Sequence, residues 1–221
     1  IWPFAFGDAV MGDAAWNDEI RVPFPPESEL SGLGRTEFHP QVSYRRSFRI
    51  PREWQGRHVV LHFGAVDYRA TVWVNGRLVT VHEGGHTPFR SDITDSLADG
   101  EQLLEVLVED DPLDMHKPRG KQDWLPEPHE IWYPRTTGIW QRVWLEPLEQ
   151  RHVSRVRWTP DVPGLSVTGE FEFSQQCDGL QLELEFSFAG EVLAAERFTV
   201  ESGTAATRRV SLTGAAGAAS D

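Results

Sequence analysis

Apolar and polar residues alternate with a period of two along most of this chain, a pattern typical of half-buried β-strands. Residues 59–63, 70–74, 104–108 and 139–145 show it, and Asn75-Gly76 predicts a tight hairpin turn after the second of these segments. The longest run predicts one strand with two different faces. One face holds Val42, Tyr44, Arg46, Phe48 and Ile50, and the other holds Ser43, Arg45, Ser47 and Arg49.

Helical patterns are confined to residues 27–33 and 92–97, each long enough for one turn. Beyond Pro147, alternation resumes in 165–173 and 180–188, with turn signals between the short strands. We therefore predict an all-β chain with domains at 1–148 and 149–221. The small-residue segment 214–221 indicates a linker or a cut inside a domain.

Charge and composition exclude several classes of partner. The 221 residues carry 34 Asp and Glu against 21 Lys and Arg, a net charge of −13 without a basic stripe, so no nucleic acid is expected. No apolar run approaches the roughly 20 residues of a membrane helix, so no membrane is expected. Cys177 is the only cysteine, which excludes an internal disulfide and favours the cytoplasm. The first residues show no signal peptide.

One long segment has the pattern of an ordered loop. Residues 110–133 contain four prolines, which exclude a helix or a central strand, and long loops of this kind usually carry function. Aromatic rings stack on the apolar faces of sugars, while charged and amide groups bind the hydroxyls. Residues 110–133 and the turn that follows them supply both kinds of group. The candidate sugar-binding residues are Lys121, Gln122, Asp123, Trp124, Trp132, Tyr133 and Arg135.

Structural roles are alternatives for several of these side chains. Trp124 and Trp132 can instead fill an interdomain seam, and Arg135 can anchor the turn by binding carbonyl groups. Trp140 and Trp144 are expected on one strand face, where core or domain-interface packing is favoured over a ligand platform. The acidic run 109–111 is expected to be a solvated turn.

No complete catalytic or metal site is predicted. His82 and His86 are the only close histidine pair, and the glycines between them rule out the helix that their spacing requires. Glu127 and Glu130 are the best pair of carboxylates, but a Pro-rich loop is a poor scaffold for reacting groups. We expect no metal and no cofactor.

Five segments resemble, in order, the N-terminal part of glycoside hydrolase family 2, which includes β-galactosidases, β-glucuronidases and β-mannosidases. The resemblance covers about residues 16–221, and the order of the segments makes it specific. They are Tyr44 to Pro51, Leu61 to Asp67, Val72 to Gly76, Gly84 to Phe89 and Gly138 to Leu145.

The resemblance implies a jelly-roll sandwich of the galactose-binding type in 1–148 and a truncated immunoglobulin-like sandwich in 149–221. It also implies a (β/α)8 barrel that holds both catalytic glutamates outside this chain, so no catalytic residue is expected here. Members of the family cleave β-glycosides with retention of configuration. Their first domain contributes loops to the active-site rim, which adds Asp67 to the loop residues named above; some β-galactosidases have Asn in that position.

The leading hypothesis is thus the non-catalytic N-terminal portion of a family 2 glycosidase. Its expected partners are a β-glycoside substrate and the barrel of the same protein. A free-standing carbohydrate-binding module without catalysis is the alternative, and a structural spacer is the third hypothesis. The sugar and the oligomeric state, including a homo-oligomer, stay open.

Overall fold

The computed structural model describes residues 2–8, 16 and 18–212, and β-strands dominate it, which confirms the predicted all-β class. The chain divides into two compact units, Ile1–Pro147 and Leu148–Asp221. Within the described residues, helical structure is limited to three 3-10 turns, of which the first and last fall in the two predicted segments. These turns are Glu29–Ser31, Arg52–Trp54 and Thr94–Ser96. Residues 214–221, the predicted linker or cut, lie outside the described part.

The described residues of the first unit form three sheets. Its strands are β1 Trp2–Asp8, β2 Asp18–Val22, β3 Gln41–Arg49, β4 His58–Phe63, β5 Val66–Asp67, β6 Arg69–Val74, β7 Arg77–Glu83, β8 Phe89–Asp92, β9 Glu101–Glu109, β10 Gly138–Ile139 and β11 Val143–Leu148. The sheet orders are β2-β1-β3-β9-β6-β7, β11-β4-β8 and β10-β5. The sequence pattern does not predict β1 or β2.

The core of the first unit joins the largest sheet to the three-stranded one. Tyr44 of β3 and Val72 of β6 are buried in one cluster with Leu61 and Phe63 of β4. On β9, Val106 lies opposite both Tyr44 and Val72 in the ladder. Each fully buried apolar side chain of this size contributes about 1.5 to 3 kcal/mol, so the alternating pattern of β3, β6 and β9 determines which faces meet.

The predicted hairpin turn joins β6 to β7. Asn75 and Gly76 both have positive φ, 52° and 75°, as a two-residue turn of this type requires. The Asn75 side chain also accepts a hydrogen bond from the Leu103 N–H at 2.9 Å and donates to Gln102 Oε1 at 2.8 Å. The same residue therefore forms the turn and attaches it to β9.

The single strand predicted over 139–145 is wrong, because the backbone leaves the ladder between its two ends. β10 pairs with β5, whereas β11 belongs to the sheet of β4 and β8. Trp140 follows β10 outside any strand and Trp144 lies on β11, so the two do not share one strand face. Trp140 Nε1 donates to the Gly85 carbonyl at 2.8 Å, and the Trp144 ring stacks on His62.

The second unit holds a three-stranded and a two-stranded sheet around its own core. Its strands are β12 Val153–Asp161, β13 Ser166–Phe173, β14 Gln181–Phe188, β15 Glu191–Thr199 and β16 Ala205–Ser211, in sheet orders β12-β13-β16 and β14-β15. Phe171, Cys177 and Leu184 are buried there. The alternation predicted over 165–173 and 180–188 differs from the structure at two positions. Leu165 lies before the start of β13 and has a positive φ, and Phe188, at the end of β14, is exposed.

We expect Gly138→Ala to destabilise the chain by more than about 3 kcal/mol. Gly138 has a φ of 78°, and a Cβ placed there would lie 2.0 Å from the Tyr44 hydroxyl oxygen in the buried core. Gly76→Ala is the matched control, because Gly76 has nearly the same φ, 75°, but no atom within 4 Å of the added Cβ. The control should lose only about 1 to 2 kcal/mol. Equal losses in urea denaturation would contradict the steric explanation.

Candidate functional site

The segment between β9 and β10, here called the long loop (residues 110–137), is held in place by backbone hydrogen bonds. At its start the Asp110 N–H donates to the Pro40 carbonyl at 2.8 Å. Further on, the Asp123 N–H donates to the Tyr133 carbonyl and the Tyr133 N–H to the Lys121 carbonyl, both at 2.9 Å. These two bonds close residues 121–133 into an ordered subloop.

Gln122 joins the long loop to β5. Its Nε2 donates to Asp67 Oδ2 at 2.7 Å, and its Oε1 accepts from the Thr136 N–H at 2.8 Å. One half-buried amide thus holds together a strand end and two parts of the loop. Asp67 and Gln122, which sequence reasoning named as separate candidates, are in direct contact.

Asp67 is a buried carboxylate with only 3% of its surface exposed. Burial raises its pKa to about 6, and the neighbouring Asp110 adds to the rise, while Gln122 and Lys117 oppose it. A Cβ at Gly85 would lie 2.3 Å from Asp67 Oδ1, so the close approach of that backbone requires glycine. The carboxylate is held inside the loop network.

Asp110 and Lys117 form a buried ion pair beside Asp67, and sequence reasoning did not select either of them. The expectation of a solvated turn over 109–111 is wrong for Asp110, which is almost fully buried. Its charge is tolerated there because Lys117 neutralises it and the Thr137 hydroxyl donates to it at 3.3 Å. A run of consecutive acidic residues offers no signal for such a partner, which lies seven residues away.

The buried carboxylate of Asp123 stabilises the subloop by hydrogen bonds to its other residues. Its Oδ1 accepts from the Leu125 N–H at 3.0 Å, and its Oδ2 accepts from the His129 N–H at 2.7 Å and lies 2.6 Å from His129 Nδ1. Burial raises the pKa of this carboxyl, but these hydrogen bonds outweigh it and hold the pKa below its ordinary value. With 2% exposure, Asp123 shapes the turn.

The aromatic candidates form the outer layer of the long loop. Trp124 meets Trp132 edge-on with ring centroids 5.0 Å apart, and the Arg119 guanidinium lies 5.2 Å from the Trp124 centroid. Tyr133 is 61% exposed, with Lys121 Nζ 5.8 Å from its centroid. Flat apolar rings bordered by cationic donors offer the two kinds of contact that sugars make.

Arg135 points the other way, into the protein. Its guanidinium carbon lies 3.4 Å from the Phe38 ring centroid, and Nη2 donates to the Thr36 carbonyl at 3.4 Å. The bond to the Thr36 carbonyl matches the alternative role, in which Arg135 anchors the turn by binding carbonyl groups.

Glu27 is a further residue of the network that sequence reasoning missed. Its Oε2 accepts from the Thr137 N–H at 3.3 Å, and its Oε1 is buried without a partner in the described residues. Burial raises its pKa to about 7. Glu27 and Arg135 line one cavity of about 60 Å³. Nothing in the local pattern around Glu27 could reveal a contact that is made 110 positions further along the chain.

The described residues show no metal centre and no helix that could span a membrane. Among residues 2–8, 16 and 18–212, no three His, Cys, Asp or Glu side chains come together in a geometry that could hold a metal ion. Within the same part, no helix is long and apolar enough to cross a bilayer.

The family model described as "Glycosyl hydrolases family 2, sugar binding domain" matches residues 28–146, a range that includes Asp67 and the whole long loop. The chain belongs to glycoside hydrolase family 2. The resemblance found in the five sequence segments is thereby confirmed.

The relatives that this chain matches are named for two different activities. A β-galactosidase of Thermoanaerobacter pseudethanolicus is 36% identical over 120 residues, which are 53% of this chain and 15% of that protein. A β-glucuronidase of Canis lupus familiaris is 47% identical over 83 residues, 34% of this chain and 13% of that protein. The chain therefore matches only about one seventh of each relative.

A solved structure extends the likeness to both units. Bacteroides uniformis β-glucuronidase superposes with a TM-score of 0.69 at 18% identity, over 94% of this chain and 26% of that one. At this level of identity the comparison shows the fold. It supports β-sandwich architecture of the family 2 kind in this chain.

Glu27→Gln is expected to stabilise the chain at pH 8 and to stabilise it much less at pH 5. Folded Glu27 keeps its proton up to about pH 7, whereas an unfolded glutamate loses it near about pH 4.3. Stability from this group is therefore lost as the pH rises through that window, by roughly 3 kcal/mol in full. Glutamine cannot ionise and can still accept from Thr137. Urea denaturation at both pH values measures the difference.

Glu29→Gln provides the matched control, since Glu29 is an exposed glutamate two residues away. It should show no change in stability relative to the parent chain between the two pH values. A destabilising effect of Glu27→Gln at pH 8 would contradict the prediction.

Proposed function

We propose that this chain is the non-catalytic N-terminal part of a family 2 glycosidase, and that the long loop forms part of the rim of its active site. The complete protein would hydrolyse β-glycosides with retention, using two carboxylates that a further domain supplies. The chain's own residues would bind and orient the sugar. The long loop would supply rings and hydrogen-bonding groups at fixed positions.

One observation carries the proposal. The family match spans residues 28–146 and contains both Asp67 and the long loop, which Gln122 connects by two hydrogen bonds. Loops held in this way lose little conformational entropy when a ligand binds, which favours a recognition role. Tyr133 and Trp124 present ring surface on the outside of the network.

The names of the relatives support a β-glycoside as the substrate class. Two of them are a β-galactosidase and a β-glucuronidase, which differ in the sugar that their names specify. The buried positions of Asp67 and Asp123 argue that specificity at the rim comes from the exposed groups, Tyr133, Trp124 and Lys121.

We expect the 221-residue chain alone to release no product from a panel of aryl β-glycosides, whereas the longer protein that continues its reading frame should cleave at least one. The reason is that the buried carboxylates of Asp67, Asp110 and Asp123 are engaged in structural contacts. A retaining mechanism needs two carboxyl groups about 5 Å apart on either side of the bond. Turnover by the purified chain, with contamination excluded by a mock purification, would overturn the proposal.

Tyr133→Ala in the longer protein should lower kcat/KM for its best aryl glycoside by about tenfold, equal to about 1.4 kcal/mol of lost contact. Tyr133→Phe, which keeps the ring, should lose much less. Trp158→Ala is the control, because Trp158 is an exposed tryptophan of the second unit. Unchanged kinetics for Tyr133→Ala would favour the spacer hypothesis.

A free-standing carbohydrate-binding module remains the second candidate, and the exposed rings of Tyr133 and Trp124 favour it equally. Calorimetry of the 221-residue chain with neutral oligosaccharides separates the two functions. Millimolar or tighter binding that Tyr133→Ala abolishes would support the module. Absence of binding would support a rim that needs a further domain.

A further inference from the structure

A wide groove lies in the first unit and shares no residue with the network around Asp67. It encloses about 1020 Å³ and is lined by the segment after β2, the segment that follows β3 and the beginning of β11. Its lining includes three aromatic and two cationic side chains, namely Phe24, Trp54, Trp144, Arg49 and Arg142. A concave site of this size with a few polar groups among apolar ones is typical of small-molecule binding.

The charge of the groove is opposite to that of the chain. The sequence has a net charge of −13, yet no Asp or Glu lies among the described residues that line the groove. Arg49 and Arg142 are exposed, and neither side chain has an ion-pair partner within the described residues. Glu101 lies opposite Arg49 in the β3–β9 ladder but neither pairs with it nor lines the groove. Two guanidinium groups are therefore free to bind an anion.

Trp144 supplies a fixed aromatic surface in the same groove. Its ring stacks on His62 with centroids 4.7 Å apart and an interplanar angle of 5°. His62 is held in turn by Glu146, whose Oε2 lies 2.8 Å from the histidine Nε2. Although supported in this way, Trp144 is still 43% exposed. A large ring supported on one side and open on the other suits stacking against the apolar face of a sugar.

We propose that this groove binds an acidic oligosaccharide, whose carboxylate or sulfate groups pair with Arg49 and Arg142 while a sugar ring stacks on Trp144. The planar guanidinium group matches such anions through two parallel N–H bonds. An apolar protein segment would bury both guanidinium groups without a counter-charge, which is costly. A neutral sugar would use the ring and leave the cations unused. The acidic oligosaccharide is the occupant that satisfies both features.

Isothermal titration calorimetry on the 221-residue chain tests the proposal with three probes. These are a trimer of galacturonic acid, a sulfated carrageenan tetrasaccharide and neutral cellotriose. At least one acidic probe should bind at least about tenfold more tightly than cellotriose, and its affinity should fall as NaCl rises from about 50 to about 500 mM, because salt screens exposed charges. Binding of the trimer alone identifies carboxylate, and binding of the tetrasaccharide alone identifies sulfate.

Variants locate the binding in the groove. Arg142→Gln should weaken the acidic probe by about fivefold or more and leave cellotriose unaffected, whereas Trp144→Ala should weaken whatever binds by about tenfold. Arg52→Gln is the matched control, since Arg52 is an exposed arginine three residues from Arg49 that does not line the groove. Arg142 is exposed, so Arg142→Gln keeps the test open if Trp144→Ala does not fold.

Three results would overturn the proposal: no heat of binding with any probe, affinity for cellotriose equal to that for the acids, or wild-type affinity in both Arg142→Gln and Trp144→Ala. The inference does not depend on the proposed function. Tyr133→Ala, which tests the long loop, should leave binding in the groove unchanged.

Discussion

The Tyr44 hydroxyl accepts a hydrogen bond from the Ile139 N–H at 3.2 Å inside the fully buried core, and the adjacent Gly138 has no Cβ to obstruct it. This contact joins β3 of the large sheet to β10, where the long loop ends. Because Gly138 and Ile139 pair with Asp67 and Val66, the same contact determines where β5 lies. The positions of β5, which carries Asp67, and of the end of the long loop therefore both depend on the space that Gly138 leaves for the Tyr44 hydroxyl.

The loop network built on that contact is unusually rich in buried charge. Asp67, Asp110 and Lys117 lie together under the loop, while Glu27 and Arg135 share a small cavity beside it. Buried charges of this kind contribute little net stability, because desolvation offsets their attraction. Their effect is directional: Asp67, Asp110 and Asp123 each accept hydrogen bonds from specific donors, which restricts the arrangements open to the long loop. A network of this kind orders a surface that would otherwise cost entropy to fix when a ligand binds.

The first unit therefore offers two surfaces with different chemistry. Around Tyr133 and Trp124 the long loop exposes rings beside a network in which Asp67, Asp110 and Asp123 are already paired. Along β11, the groove combines the supported ring of Trp144 with arginines that have no acidic partner within the described residues. The family assignment concerns the domain that carries both, and the physical difference between them lies in whether the polar groups are already paired.

The alternating pattern by itself determined the all-β class, the strands β3, β6 and β9 and the Asn75-Gly76 turn, because these depend on a period of two and on local backbone preferences. The prolines likewise placed the long loop, and residue chemistry selected Tyr133 and Trp124. Only the tertiary structure decided that β10 and β11 are separate, that Asp110 is buried, and that Glu27 belongs to the site. Each of these rests on contacts between residues far apart in sequence, such as Gln122 with Asp67 across 55 positions and Thr137 with Glu27 across 110. Burial and pairing are properties of the folded neighbourhood, so no local pattern encodes them.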